Sequence, residues 1–396
     1  MKILFLTPQL PYPQISGGVI KSFKLIEYLA DLHQITLGCF LKNGEDKEKL
    51  KKLKHKLPQL TPFLEHLNIK RTAFNLLKSY FYGIPLTIFR NQSHEFKKKV
   101  TALADDHDII FIDHYLMFQY VPENFQGRVV LHLHNAEFIM WARYAEQVKN
   151  PLKKVLLHIE AHRIKKYELT ICQQVDVILA APNDQEKLIK FGAASNKFIE
   201  TFHLGDEQNL YLPNIKFEET SLSLLFIGTL TWEANIDGLL WFLKDIWPLI
   251  KKKKTKVTFT ITGKLSNQLK TTILKLDPNI HLLGFVQDLE ALYQCHRVFI
   301  APLRFGSGIK VKVVNALYRG IPMVTTPIGA EGLELSNSEH LFIKEKPFDF
   351  SNSVLRLLED KQLWEKFNIQ SRQFMKQNYT WDRVFNNVRK SLEYDY

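Results

Sequence analysis

The residues best suited to chemistry lie in one run, from Ala301 through Arg304, Gly306-Ser307-Gly308, Lys310 and Lys312 to Asn315. A Gly-Ser-Gly turn that opens into a helical pattern exposes free backbone N–H groups, and Arg304, Lys310 and Lys312 place three cations around the same helix start. Cations there oppose the helix dipole, whereas a sequence chosen for stability alone would place acids at that end. An anion, best a diphosphate, is the expected compensation and outweighs the reading of a bland surface turn. Gly320-Ile321-Pro322 then ends the helix, and the loop after the next strand offers Gly329 and the acid Glu331.

Two further constellations are sparser. Ser16-Gly17-Gly18-Val19 follows the first strand and lets the backbone approach a bound phosphate or sugar, but a tight turn needing positive φ explains the pair equally well. The strand Val129–His132 runs into Leu133-His134-Asn135-Ala136-Glu137, which puts polar groups just past a buried strand, where α/β active sites lie. His134 could exchange a proton near neutral pH, and Asn135 and Glu137 could hydrogen-bond sugar hydroxyls. A purely structural reading makes Asn135 the N-cap of a helix beginning near Ala136. Asp113-His114, at the end of the preceding strand, is a similar but weaker pair.

Groups at strand ends need strands to carry them. Apolar runs at 3–6, 35–40, 109–112, 129–132 and 177–180 alternate with helical patterns such as 19–32 and 152–172, and a second series follows at 224–228, 257–262, 281–283, 298–301 and 323–325. This alternation predicts an α/β protein with mostly parallel sheets. The segment Phe202–Ser221, with Gly205, Pro213 and Asn214, separates the series and is the expected linker. Two consecutive Rossmann-like domains facing across a cleft would bind a ligand at the carboxyl ends of their strands. A dinucleotide is a poor candidate, because no G-x-G-x-x-G follows the first strand.

Length and composition set the frame. The chain of 396 residues is 45% hydrophobic and 24% charged, which suits two ordinary globular domains. Cys39, Cys172 and Cys295 are odd in number and form no CxxC pair, so neither a disulfide framework nor a zinc ribbon is expected, and a reducing, cytoplasmic setting follows. The apolar run before Pro8 is too short for a signal peptide, and no apolar stretch of about 18 residues suggests a membrane-spanning helix. Net charge is +12, and residues 51–100 alone carry 11 basic against 2 acidic side chains. Within them Phe74, Leu77 and Phe81 share a helical face edged by Lys70 and Lys78, which predicts an interfacial helix that docks on an anionic membrane surface. A nucleic-acid partner is not expected, since no recognisable module accompanies the charge.

The run from Pro302 to Leu333 resembles the donor-site region of bacterial GT-B glycosyltransferases of retaining family four. It carries G-x-G-x-K-x-K, then A-L-x-x-G-x-P-x-V-x-T, and finally G-A-E-G-L. Gly17-Gly18, His134-Asn135-x-Glu137, Leu225-Phe226-Ile227-Gly228 with Trp232-x-x-Asn235, Leu283-Gly284-Phe285-Val286 and Tyr379-Thr380-Trp381-Asp382 agree in order.

The resemblance implies an acceptor-binding domain over 1–205 and a nucleotide-sugar donor domain over 220–379, with a final helix, 380–396, crossing back onto the first. It implies Gly17 and Gly18 near the donor phosphates, His134 near the transferred sugar and Lys310 neutralising the diphosphate, with Arg304 and Lys312 beside it. Glu331 and the amides around Gly329 would line the donor pocket. Two departures stand out: Ser307 and Asn315 occupy the places of two usual glutamates, and Thr229 and Asn235 those of a usual Arg and Lys. The implied activity is metal-independent transfer, without a cofactor, from a nucleotide sugar to a saccharide or lipid-linked acceptor in surface polysaccharide or lipopolysaccharide assembly. The alternatives are a sugar-nucleotide epimerase of the same fold and an inactive sugar-nucleotide-binding protein.

Overall fold

A computed structural model of the chain describes residues 1–13, 17–41, 46–67 and 72–393. The chain divides into two compact units, Met1–His203 with Asp382–Tyr396, and Leu204–Trp381.

The first unit is built on seven strands: β1 (Lys2–Thr7), β2 (Gln34–Leu41), β3 (Thr61–His66), β4 (Ile109–Asp113), β5 (Arg128–His132), β6 (Val177–Ala180) and β7 (Phe198–Glu200). All pair in parallel, in the order β3-β2-β1-β4-β5-β6-β7. Helices cover both faces of such a sheet, which is why Ile3–Leu6 and Ile109–Ile112 are continuous apolar runs, wholly buried, with Phe5 stacked on Phe111 at 4.8 Å. Strand order reverses between β1 and β4, so their connections leave on opposite faces and a crevice opens beyond their carboxyl ends. Into that end project the helix Gly17–Leu32, which follows β1, and the segments after β4 and β5. The edge strand β3 went unread because Pro62 interrupts it; an edge tolerates proline, whose missing N–H faces no neighbour.

The second unit repeats the plan with β8 (Ser221–Ile227), β9 (Thr258–Thr262), β10 (His281–Gly284), β11 (His296–Ala301), β12 (Met323–Thr325) and β13 (Phe342–Ile343), all parallel, in the order β10-β9-β8-β11-β12-β13. Its reversal lies between β8 and β11. The expected linker is mostly part of this unit. Arg319 donates to the Pro213 carbonyl at 2.8 Å, Arg372 to those of Leu210 and Leu212 at 2.6 Å, and Trp381 Nε1 to Gly205 at 3.1 Å. Those carbonyls find donors on the unit's own helices, which binds the segment to it.

The helix Trp381–Glu393 packs on the first unit. Arg128 reaches the Leu392 carbonyl at 2.9 Å, Arg383 pairs with Glu200 at 2.8 Å, and Phe385 stacks on Tyr28 at 4.3 Å.

The helix Val311–Arg319 stops at Gly320, whose φ of 77° lies in the left-handed region. A Cβ there would come within 2.6 Å of Arg372 Cδ and 2.9 Å of Asn368 Nδ2. Gly320→Ala should therefore destabilise the second unit by about 1–2 kcal/mol, measured as a lower urea midpoint with an unchanged slope.

Candidate functional site

In the first unit the buried carboxylate of Asp113, at the end of β4, gathers the polar groups. Its Oδ1 accepts from His132 Nδ1 at 2.7 Å and His134 Nε2 at 2.8 Å, and its Oδ2 from the Ser22 hydroxyl. His134 lies just past β5, against the first turn of the helix Gly17–Leu32: a Cβ on Gly18 would lie 3.2 Å from His134 Nδ1. Here the glycine permits a close approach within a helical turn, and positive φ is not what it provides. His114, at φ 98°, adopts a conformation rare for a residue with a side chain, and its ring lies 5.3 Å from that of His134. His203 lies 4.9 Å from His134 on another side. Ser16 falls outside the described residues.

Asn135 is not the cap of the following helix. That helix, Glu137–Gln147, starts after Ala136, and its first N–H groups go to Glu168: Glu137 N to Oε1 at 3.0 Å and Phe138 N to Oε2 at 3.1 Å. The cap comes from the helix Pro151–Gln174, 30 residues away in sequence, where no local pattern could show it. Asn135 instead hydrogen-bonds Glu137, and Glu137 Oε1 lies 3.9 Å from His114 Nε2.

Burial sets the charges of this group. It opposes ionisation of Asp113, but the charge of His134 and the hydrogen bonds from His132 and His134 outweigh it and hold the carboxyl well below the usual range. Burial, then the charge of Lys21, lowers His132 to about 3, and burial lowers Lys21 itself to about 7. Glu137 is raised by burial to about 7. Among the described residues, Asp113, His132 and His134 are the one group of His, Cys, Asp and Glu close enough to share a metal, with ligand atoms within 4.8 Å of one another. Their contacts of 2.7–2.8 Å are hydrogen-bond distances, shorter than the roughly 3.3 Å between neighbouring ligands of a tetrahedral ion with bonds of about 2.0 Å.

In the second unit the Gly306-Ser307-Gly308 turn follows β11 with φ of 134° and 69° at its glycines and leads into the helix Val311–Arg319. A Cβ on Gly306 would meet Trp232 at 3.6 Å and Lys310 at 3.7 Å. Ser307 and Lys310 are buried.

The expectation of uncompensated cations needs correction. Arg304 donates through Nε and Nη2 to both oxygens of Asp237. Lys310 donates to the Gly308 carbonyl and lies 3.6 Å from Glu331. The unit's own acids thus offset two of the three charges.

Lys312 differs. It is half-buried, donates to Asn235 Oδ1 at 2.7 Å, and is lowered to about 7 by desolvation first and the charge of Lys310 second. Asn315 Oδ1 accepts from Asp206 N at 2.8 Å and packs on Gly205, so it braces the start of the unit. Gly329 is capped by Thr326 at 3.1 Å, and a Cβ there would collide with Thr325 Oγ1. The sequence reading overlooked Asp237, His132, Ser22 and Lys21. A lysine at a core position of an apolar helix was the visible signal for Lys21; the others depend on tertiary contacts.

Residues 221–360 match the family model described as glycosyl transferases group 1. That stretch of the second unit is similar to the family, and the two parallel sheets, with the solved structures that superpose on them, give the chain the GT-B fold. A 44.6 kDa protein of the cps region of Klebsiella pneumoniae is 24% identical over 400 residues, covering 98% of this chain and 99% of that protein. Among solved structures, S. aureus TarM in complex with fondaparinux, α-GlcNAc-glycerol and UDP superposes with a TM-score of 0.69 at 12% identity, covering 99% of this chain and 100% of that one. Anabaena HepE in complex with UDP and glucose gives 0.67 at 16% identity, with 99% of each chain covered.

The raised Glu137 sets a sign for pH dependence. Between the ordinary value of 4.5 and about 7 the folded chain holds a proton that the unfolded chain has released. Stability from this group therefore falls as pH rises across that window and is level above it. Glu137→Gln should flatten the decline in urea titrations between those limits, and an unchanged slope would remove Glu137 as its source.

Proposed function

We propose that the protein transfers a sugar, with retention and without a metal, from a nucleotide-sugar donor to a saccharide or lipid-linked acceptor in cytoplasmic assembly of a surface polysaccharide or lipopolysaccharide. The observation that carries this reading is the glycine turn at the strand reversal of the unit that matches the glycosyl transferases group 1 model, with buried Lys310 and half-buried Lys312 at the helix start beside it. The helix N–H groups and the two ammonium groups supply the positive charge that a departing nucleoside diphosphate requires. A diphosphate has to displace Glu331 from Lys310, exchanging one anion for another. The cps-region relative and the UDP complexes of TarM and HepE support the pathway and the donor class.

In this reading His134 contacts the transferred sugar. Arg304, beside the turn, is paired with Asp237 and assists the diphosphate only if that pair opens.

Screening sugar nucleotides for acceptor-dependent release of nucleoside diphosphate tests the reading, with the rate expected to survive a chelator. A changed sugar nucleotide formed without acceptor would identify an epimerase instead.

Two lysine variants probe the donor site. Lys310→Ala should weaken nucleoside-diphosphate binding by about 1.5–3 kcal/mol, the scale of a charged hydrogen bond. Because Lys312 is lowered to about 7, binding an anion above that pH draws a proton onto it, so affinity falls as pH rises past about 7. Calorimetry in buffers of different ionisation enthalpy should show this uptake in the wild type and its loss in Lys312→Met; equal uptake in both would separate Lys312 from the ligand.

The membrane expectation gains support from exposure. Thr72 caps the helix Ala73–Phe81, whose Phe74, Leu77 and Phe81 are 64%, 69% and 87% exposed, with Lys78 over the Phe74 ring. Lys70 and Arg71 lie outside the described residues. Leu152, Val155, Leu156 and Ile159 form a second exposed stripe at helical spacing, and Arg163 of the same helix donates to Ser79 O at 2.6 Å. None of the helices among the described residues is long and apolar enough to cross a membrane. In this reading both stripes rest on the anionic cytoplasmic membrane surface. Anionic liposomes should sediment the protein at low salt and release it as salt rises, and Phe74→Ser with Phe81→Ser should abolish sedimentation. Equal recovery with neutral liposomes would refute the docking.

A further inference from the structure

We propose that Asp113 is a positioning residue for His134: its carboxylate fixes the proton of the His134 ring on Nε2 and leaves Nδ1 bare toward the helix Gly17–Leu32, so that His134 meets a ligand hydroxyl as a hydrogen-bond acceptor. This rests on the reading of His134 as a sugar contact, to which it adds the direction of the hydrogen bond and the group that sets it.

An ionised carboxylate has acceptors only, so each group on Asp113 must donate to it. His134 Nε2 lies 2.8 Å from Oδ1, His132 Nδ1 lies 2.7 Å from the same oxygen, and the Ser22 hydroxyl occupies Oδ2. In the neutral His134 ring, Nδ1 then has a lone pair. That nitrogen is the one 3.2 Å from the Cβ position of Gly18, in the first turn of a helix, where unsatisfied N–H groups favour a lone pair over a second N–H.

His132 shows the same logic. Its Nδ1 proton goes to Asp113, while its Nε2 is buried with no hydrogen-bond partner, as expected of a neutral ring whose single proton is already committed. The rings of His114 and His203 pack beside that of His134, with centres 5.3 and 4.9 Å from its own. The side chain of His134 is 14% exposed, enough for one edge of the ring to reach a ligand.

The tautomer can be read directly by nitrogen–proton correlation spectra of histidine-labelled protein at mildly alkaline pH. The expected wild-type result is a protonated Nε2 and a bare Nδ1 on His134. In Asp113→Ala the acceptor on Nε2 is gone, so the proton should no longer be confined to Nε2 and should appear on Nδ1 as well. With the sugar nucleotide selected by the release screen, kcat should then fall by roughly 10²-fold or more while the Kd of the nucleoside diphosphate stays within about twofold.

A wild-type His134 protonated on Nδ1 would overturn the proposal, as would an Asp113→Ala protein that keeps both tautomer and kcat. If Asp113→Ala does not fold, the wild-type spectrum still decides. Failure of every sugar nucleotide to react would count against glycosyl transfer and leave the tautomer result standing.

Discussion

A carboxylate without solvent, Asp113, constrains the polar end of the first unit. Burying a charge costs several kcal/mol unless donors surround it, and the chain supplies them from three different elements. Asp113 is 0% exposed, so none of those donors can be water at its surface. Ser22 comes from the helix after β1, His132 from β5 and His134 from the segment beyond it, so the same bonds that satisfy the charge also lock the three carboxyl-terminal ends together. Removing one donor would leave the charge partly uncompensated, which is why these residues act as a set.

The second unit handles charge in the opposite way. Its cations gather at a helix start, where the dipole disfavours them, and acids from elsewhere in the unit offset two of them: Asp237 for Arg304 and Glu331 for Lys310. An arrangement of this kind can exchange an internal carboxylate for a ligand phosphate without burying net charge. Arg304 is tied by a bidentate pair to a fixed helix and has little to exchange, whereas Lys310 has a single carboxylate at 3.6 Å, a looser contact.

Much of this was legible in the sequence because parallel strands covered on both faces read as continuous apolar runs. Residues 3–6, 109–112 and 298–301 announced themselves in that way, and the glycine turn at 306–308 followed from the needs of a strand-to-helix connection. The edge strands β3, β7 and β13 did not, since an edge strand has one neighbour and needs no unbroken apolar run. At the site, position was readable and partnership was not. His134 was found from its place after a strand, but its bond to Asp113 spans 21 residues, and the Arg304–Asp237 pair spans 67. Charge counting along the chain therefore overstated the cationic character of the helix start.

The departures from the family pattern acquire a physical meaning once the contacts are known. Asn235 stands where the resemblance leads one to expect a lysine, and it is the residue whose Oδ1 receives the ammonium of Lys312 at 2.7 Å. A Cβ on Gly228, at the end of β8, would lie 3.2 Å from that same Nζ. A lysine amine that takes up a proton near pH 7 thus lies beside the β8 end, delivered by the helix that follows β11 instead of the one that follows β8. Asn315 shows the reverse case. Its Oδ1 is taken by the Asp206 amide, so a glutamate there would bring a charge against the backbone turn at Gly205, where a Cβ would already overlap Asn315. Substitution at 315 and the docking of the Leu204 segment onto the second unit are in this sense one structural choice: the neutral amide fits because the turn that it braces has no cation to offer a carboxylate.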